Sequence, residues 1–368
     1  MAQVVGGGGA GAAVARTLSA KLDSSKFSLT LITARPFAIH MPAAIRMTTA
    51  SEGHLENTVL ISYDKLFVNN NGKLKIGRVA SISDRKEGGG GGEVVLTNGE
   101  SVFYDALVLA PGSHWDGPLA FPDGKEETVK YINEWRRKFE AAQSIVLGGG
   151  GAVGIEYAGE IKDFWPKKKV TIVHAADQLL NKTYPDKFRK RTEKDITARG
   201  IEVVYNDYID DFSQTGTVTT RNGKKINADL VVPTHGNRPA TEFISTLGSN
   251  VLNGRSQVKV RKTLQLESFN NIFACGDVID WDEQKQVAKY AAHADVVATN
   301  VISVLSNTAP AKEYKGSPEL IILTNGKKAG VAYLGFLWGI VLGNWFASMM
   351  KSKGLMIPMG RKGYGHAE

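Results

Sequence analysis

The chain has 368 residues, 42% hydrophobic and 22% charged, the balance of a soluble globular enzyme; a disordered or fibrous chain is excluded. A chain this long buries most of its unfolded surface in two or three domains without disulfide staples, and its single cysteine, Cys275, excludes a CxxC redox pair and a cysteine-rich metal site. The formal net charge of +8 favours anionic partners, whether a membrane surface, nucleic acid or a phosphorylated cofactor, without choosing among them.

Residues 1–5 run straight into a glycine cluster, so no signal or transit peptide is expected, and Ala2 excludes N-myristoylation. Val4 and Val5 read as a strand entering Gly6-Gly7-Gly8-Gly9-Ala10-Gly11. Val14, Leu18 and Leu22 then recur at four-residue steps, an apolar stripe on a helix, and residues 29–32 form the next strand. Residues 79–82, 93–96 and 101–104 alternate like strands, with Asn98-Gly99 as a hairpin turn. The glycine run at 88–92 has no helix pattern behind it and reads as a hairpin tip. Residues 107–110 are a buried strand ending at Pro111-Gly112-Ser113.

The opening grammar returns in mid-chain. Residues 145–147 lead into glycines 148–151 and Gly154, a helix carries Ile155, Ala158, Ile161 and Phe164, and 170–173 is a strand. Residues 230–232 close this unit before His235-Gly236, and 271–275 run into Gly276-Asp277. An Ala- and Val-rich helix covers 287–304, and Pro310 opens a segment of different character. Two such βαβ units predict an α/β protein with two Rossmann-type dinucleotide-binding domains.

Gly6, Gly8 and Gly11, like Gly149, Gly151 and Gly154, follow a strand and open a helix. Small residues there let the backbone approach a pyrophosphate, whose charge rests on the helix N-terminus. One such loop is often just a tight turn; two in the same context predict two dinucleotides. The acid that binds the adenosine ribose, about 20 residues further on, is replaced by Thr33 in the first unit and by His174, with Asp177 nearby, in the second. A hydroxyl can still bond to a ribose. No arginine stands at the second strand's end to hold a 2′-phosphate, which favours NADH over NADPH. Asp277, after a buried strand, is suited to accept hydrogen bonds from a flavin's ribityl chain. A lone Gly-Asp pair is an ordinary turn; its meaning comes from the order glycine loop, Ala110-Pro111-Gly112, second loop, Gly236, Gly276-Asp277.

That order resembles the two-dinucleotide-binding, glutathione-reductase-like flavoprotein superfamily over residues 1–305. Its Ala-Thr-Gly motif reads Ala110-Pro111-Gly112 here, which removes a hydroxyl, and its Gly-x-x-Pro motif reads Gly236-Asn237-Arg238-Pro239. His40-Met41-Pro42-Ala43-Ala44-Ile45-Arg46, Gly154-Ile155-Glu156, Gly159-Glu160-Ile161-Lys162 and residues 323–362 resemble the apoptosis-inducing-factor-like, mitochondrion-associated family. That family is similar to type II NADH dehydrogenases, which reduce quinones.

The resemblance implies a discontinuous FAD domain (1–115 and 237–308), an NAD(P)H domain (116–236) and a small α+β C-terminal domain (309–368). It also implies hydride transfer from NADH or NADPH to flavin N5 and electron transfer to a quinone. By the same resemblance His40 and Arg46 lie beside the flavin, Gln286 and Val287 line its ring, Glu156 orients the nicotinamide, and Lys362 places a cation by the isoalloxazine. Each has an ordinary counterpart: a hydrogen-bonded core histidine (His293 as much as His40), a polar helix start, a solvated carboxylate, a solvated terminal lysine.

Two other functions stay open: a nucleic-acid-binding death effector with a structural flavin, and an NADH reductase of an electron-carrier protein. The basic runs 167–169 and 187–194 show no recognition motif and read as solvated helix faces. Residues 330–350 carry no charge and reach the ~20-residue length of a membrane span. Residues 320–323, Asn325-Gly326 and 329–334 nevertheless read as a hairpin, leaving too little for a crossing helix. The remainder predicts an amphipathic helix with Trp338, Leu342, Trp345 and Met349 on one stripe, Asn344, Ser348 and Lys351 turned away, and Lys351 and Lys353 at its end. This suits a lipid interface; the alternatives are packing on the FAD domain or a homodimer seam. The expected location is cytoplasmic and peripheral to a membrane, such as a lipid droplet or the mitochondrial outer surface.

Overall fold

Val4, Leu31 and Val108 are wholly buried side by side, because three parallel strands run in register through them. In the computed structural model these strands are the centre of a five-stranded parallel sheet. Its order is Ile272–Ala274, Ala106–Leu109, Ala2–Val5, Leu29–Thr33, Lys73–Ile76. The structure describes residues 1–84, 91–336 and 339–367; most of the expected glycine-rich hairpin tip and Trp338 lie outside them.

Helix α1 (Gly9–Lys21) follows the first strand and buries Val14 and Leu18 completely. Burying side chains of this size contributes roughly 1.5–3 kcal/mol each. Helices α2 (Met41–Thr49) and α3 (Glu56–Val59) come next. The strands Val79–Asp84, Gly92–Leu96 and Ser101–Tyr104 form an antiparallel sheet, turning at Asn98-Gly99 where Gly99 has φ +84°.

A second parallel sheet has the order Ile201–Val204, Lys169–Val173, Ser144–Gly148, Leu230–Pro233. Around it lie α4 (Lys125–Ala141), α5 (Ala152–Phe164) and α6 (Asp186–Thr197). The basic runs are not simply solvated faces. Lys168 is buried and donates to Phe139 O at 2.5 Å and Glu140 O at 2.6 Å, a cation on the last carbonyls of α4. Arg189 is buried too, and donates to Leu179 O at 2.9 Å and Gln178 O at 3.2 Å.

Helix α7 (Tyr290–Leu305), preceded by a 3-10 turn at Val287–Lys289, packs along α1. The C-terminal unit is an antiparallel sheet of Leu320–Thr324, Gly330–Leu334 and Ile340–Leu342, then α8 (Asn344–Ala347), a π-helical turn Ser348–Ser352 and α9 (Ile357–Gly363). The expected amphipathic helix is therefore corrected. Gly339 turns the chain at φ +78°, and Ile340–Leu342 pairs as a third strand with Val341 opposite Tyr333. Leu342 belongs to that strand, and helix begins only at Asn344. Lys351, expected to face outward, points inward.

Candidate active site

The two glycine loops have the same division of labour. Gly6 has φ +108°, and a Cβ there would overlap Ala110 O; a Cβ on Gly11 would overlap Gly6 O. In the second loop Gly149 has φ +142° with Thr234 O 2.6 Å from its Cβ position, and a Cβ on Gly154 would overlap Gly149 O. The first and third glycines thus allow close packing of strand, turn and helix. The middle ones differ: Gly8 and Gly151 have nothing within 4 Å of the Cβ position. Both are extended N-caps, at φ −71° and −80°, and neither helix has a side-chain cap or an acid in its first turn. Amide groups at a helix start beside open space fit a pyrophosphate, once in each unit.

Each following strand ends against the second residue of its loop. A Cβ on Gly7 would lie 2.8 Å from Thr33 Oγ1, and His174 Nδ1 accepts the Gly150 N–H at 3.1 Å. Accepting there puts the imidazole proton on Nε2, which is buried without a partner among the described residues. Burial holds the His174 pKa below its ordinary value.

Gly276 has φ +79°, and its Cβ position is 2.7 Å from Ala10 Cβ on the first turn of α1. Asp277 accepts from Ser113 Oγ at 2.8 Å, Tyr290 OH at 2.7 Å and Asn237 Nδ2 at 3.3 Å. The first loop, residues 110–113, Asn237 and Gly276-Asp277 are therefore one constellation. The Cβ sides of Gly112 (φ +77°) and Gly236 are open.

His40, Arg46 and Glu156 meet elsewhere, at a seam between α2, α5 and the C-terminal unit. Arg46 donates to both oxygens of Glu160 at 2.8 Å and to Ser352 O at 2.7 Å. His40 Nε2 donates to Leu355 O at 2.8 Å. Glu156 follows the first turn of α5, where it accepts from Lys351 Nζ at 2.6 Å and Thr324 N at 2.9 Å, and it is buried, not a solvated carboxylate. Gln286 donates to Tyr184 OH at 3.0 Å, with its Oε1 buried and unpartnered among the described residues. Val287 is exposed, as is Lys362 on the last turn of α9.

Sequence reasoning missed Tyr290, which binds Asp277, and Tyr63 and Tyr364, whose hydroxyls donate to Gly7 O at 2.8 and 3.4 Å. It also missed Lys351 as the partner of Glu156. No local pattern marks these residues; three of the four contacts join positions more than fifty residues apart.

The chain matches the family of pyridine nucleotide-disulphide oxidoreductases over residues 2–295. It is 47% identical over 321 residues to the FAD-dependent oxidoreductase FVFD30 of Flammulina velutipes, covering 87% of this chain and 99% of that protein. It is 31% identical to apoptosis-inducing factor homolog B of Dictyostelium discoideum, over 96% of this chain and 94% of that one. Ferroptosis suppressor protein 1 of Taeniopygia guttata is 29% identical, over 96% and 93% of the two chains. Among solved structures, the sulfide:quinone oxidoreductase of Aquifex aeolicus superposes with a TM-score of 0.74 at 17% identity, over 98% of this chain and 91% of that one. The paired loops and these relatives lead to one conclusion: the chain belongs to the pyridine nucleotide-disulphide oxidoreductase family, as an apoptosis-inducing-factor-like flavoprotein whose cofactors are FAD and a nicotinamide dinucleotide.

Proposed function

We propose that this chain is an NAD(P)H:quinone oxidoreductase that works at a membrane surface. FAD, when bound, would supply two-electron redox chemistry between a nicotinamide and an acceptor. Residues 1–115 and 237–308 hold the flavin, with its pyrophosphate over Gly8 and its ribityl chain at Asp277. Residues 116–236 hold the nicotinamide dinucleotide over Gly151, and residues 309–368 form the acceptor side. Lys362 would supply a cation on the flavin side of this unit. Glu156 serves the nicotinamide end through the seam it shares with Lys351.

The observation that carries the quinone reading is the apolar surface of the C-terminal unit. Phe336, Ile340, Trp345, Met349, Met350 and Met359 are all exposed, Trp345 by 76%. Exposed apolar residues gathered on one small unit favour a lipid or apolar partner. A quinone dissolved in lipid would arrive from that side. No helix among the described residues is long and apolar enough to cross a membrane. The reading as reductase of an electron-carrier protein calls for a polar docking face there instead. Cys275, the lone thiol, is buried, which pushes its pKa up to about 12 and disfavours thiol exchange chemistry.

The test is spectroscopic. The purified protein should show a flavin spectrum that bleaches under NADH or NADPH in stopped flow and returns on mixing with a quinone. Bleaching that no quinone reverses, while a ferredoxin-type carrier does, would sink the proposal.

A further inference from the structure

The Gly276-Asp277 turn is held from behind by His293, a residue with no role in the site as described above. His293 Nδ1 accepts the Gly276 N–H at 3.2 Å, so its proton sits on Nε2, which donates to Glu283 Oε1 at 3.0 Å. Glu283 Oε2 accepts from Tyr314 OH at 2.6 Å, with Lys289 Nζ 3.8 Å away, and Lys289 pairs with Glu319 at 2.5 Å. The side chains of His293, Lys289 and Glu283 are 1%, 2% and 3% exposed. The Tyr314 ring stands edge-on to the imidazole with centroids 4.5 Å apart, which fixes the imidazole plane. Burial pushes the Glu283 carboxyl up, but the bonds and charges of the groups around it, His293, Tyr314 and Lys289, outweigh it and hold its pKa below the ordinary range.

We propose that His293, its ring held between Glu283 and the Gly276 amide, is a positioning residue for the flavin-binding turn. This rests on the reading that Gly276-Asp277 holds FAD. Losing the Nδ1 acceptor would strand the Gly276 N–H inside the fold. Gly276 would have to move, and it is packed on Ala10 beside the first glycine loop. The titratable and charged groups around His293 are Glu283 and Lys285 on the preceding loop, Lys289 and Tyr290 at the start of α7, Cys275 and Asp277 at the turn, and Tyr314 and Glu319 beyond α7.

The experiment is FAD rebinding to deflavinated protein, with melting of each apo form followed by circular dichroism. His293→Asn keeps an acceptor near Nδ1. His293→Gln reaches toward Glu283 and strands the Gly276 N–H. His293→Asn should bind FAD close to wild-type affinity, and His293→Gln about tenfold more weakly. A His293→Gln variant of wild-type affinity, or a His293→Asn variant as weak as His293→Gln, overturns the inference. If His293→Gln does not fold, His293→Asn decides alone, and a loss of about tenfold there overturns the inference. Asp277→Ala separates the two levels: full flavin affinity there removes the reading of the turn, whereas a loss there with none in His293→Gln removes only the role of His293.

Discussion

Lys351 Nζ lies 2.6 Å from Glu156 Oε1, joining the C-terminal unit to the helix that follows the second glycine loop. Glu156 is the first of three acids on one face of α5, spaced four and three residues apart. Glu160 takes the bidentate Arg46, and Asp163 accepts from Lys327 N at 3.0 Å and Arg199 Nη2 at 3.1 Å. Between them Gly159 leaves room for the hairpin turn, since its Cβ position is 2.7 Å from Asn325 Cα. One helix face thus clasps α2, the end of α6 and the C-terminal hairpin.

Breaking the clasp at Lys351 should be costly. Lys351→Met leaves the buried Glu156 carboxylate without its cation, which destabilises by about 3 kcal/mol. Adding Glu156→Gln should restore part of that loss, because an amide needs no counter-charge. Thermal melts of the two variants check this. A Lys351→Met protein that melts like wild type would show that the pair contributes nothing.

The open middle glycines separate binding from folding. Gly8→Val and Gly151→Val add a side chain where nothing stands within 4 Å, at φ values any residue adopts. Both should fold with wild-type melting temperatures. Gly8→Val should purify without flavin colour; Gly151→Val should keep the colour and lose bleaching by NADH. Gly11→Ala and Gly154→Ala should fail to fold, because their Cβ atoms meet backbone oxygens. If Gly151→Val loses flavin and keeps hydride uptake, the two loops have been assigned the wrong way round.

Acid should weaken the fold through His40 and His174, whose pKa values are lowered mainly by burial. The unfolded chain takes up these protons near pH ~6.5, which the folded chain resists to lower pH. Their contribution is therefore complete above about pH 6.5 and is lost as pH falls through the lower folded-state values. Melting temperature should decline below about pH 6.5, less steeply in His40→Gln. Parallel pH profiles for wild type and His40→Gln would remove His40 from the account.

Much of the fold was legible because its signals are local. Val4, Val5 and the glycines after them lie within a few residues of one another, and so do Leu147 and its loop. Contacts decided over long distances were not legible. The spacing of Trp338, Leu342, Trp345 and Met349 suits a helix, yet strand pairing to Tyr333 claims Leu342's segment. Lys168 and Arg189 read as surface charge because the carbonyls they bind lie on other elements. The sequence offers Glu156 as a helix residue, but its cation is 195 positions away.

The last prediction concerns the apolar surface. Trp345 and Met349 lie on the short helical run of α8 and the π turn, with Phe336 and Ile340 on the hairpin before it, and all four are exposed. Lys353 is exposed just beyond, whereas Lys351 is held inward by Glu156 and offers nothing to a lipid headgroup. An interfacial docking of this kind draws on apolar side chains and on about 1 kcal/mol for each basic residue near anionic lipid. Trp345→Glu/Met349→Glu removes two apolar contacts and adds two repelled charges, so binding to anionic vesicles should fall by at least about tenfold. Lys353→Glu should weaken it by less, and more so at low salt, because screening grows with ionic strength. Flotation with anionic and with neutral liposomes, beside sedimentation of the free protein, tests the surface. If wild type stays in the soluble fraction with anionic liposomes, or the double variant floats equally well, the membrane reading fails. If the double variant instead turns a dimer into a monomer, the same residues form a seam between two copies of the chain.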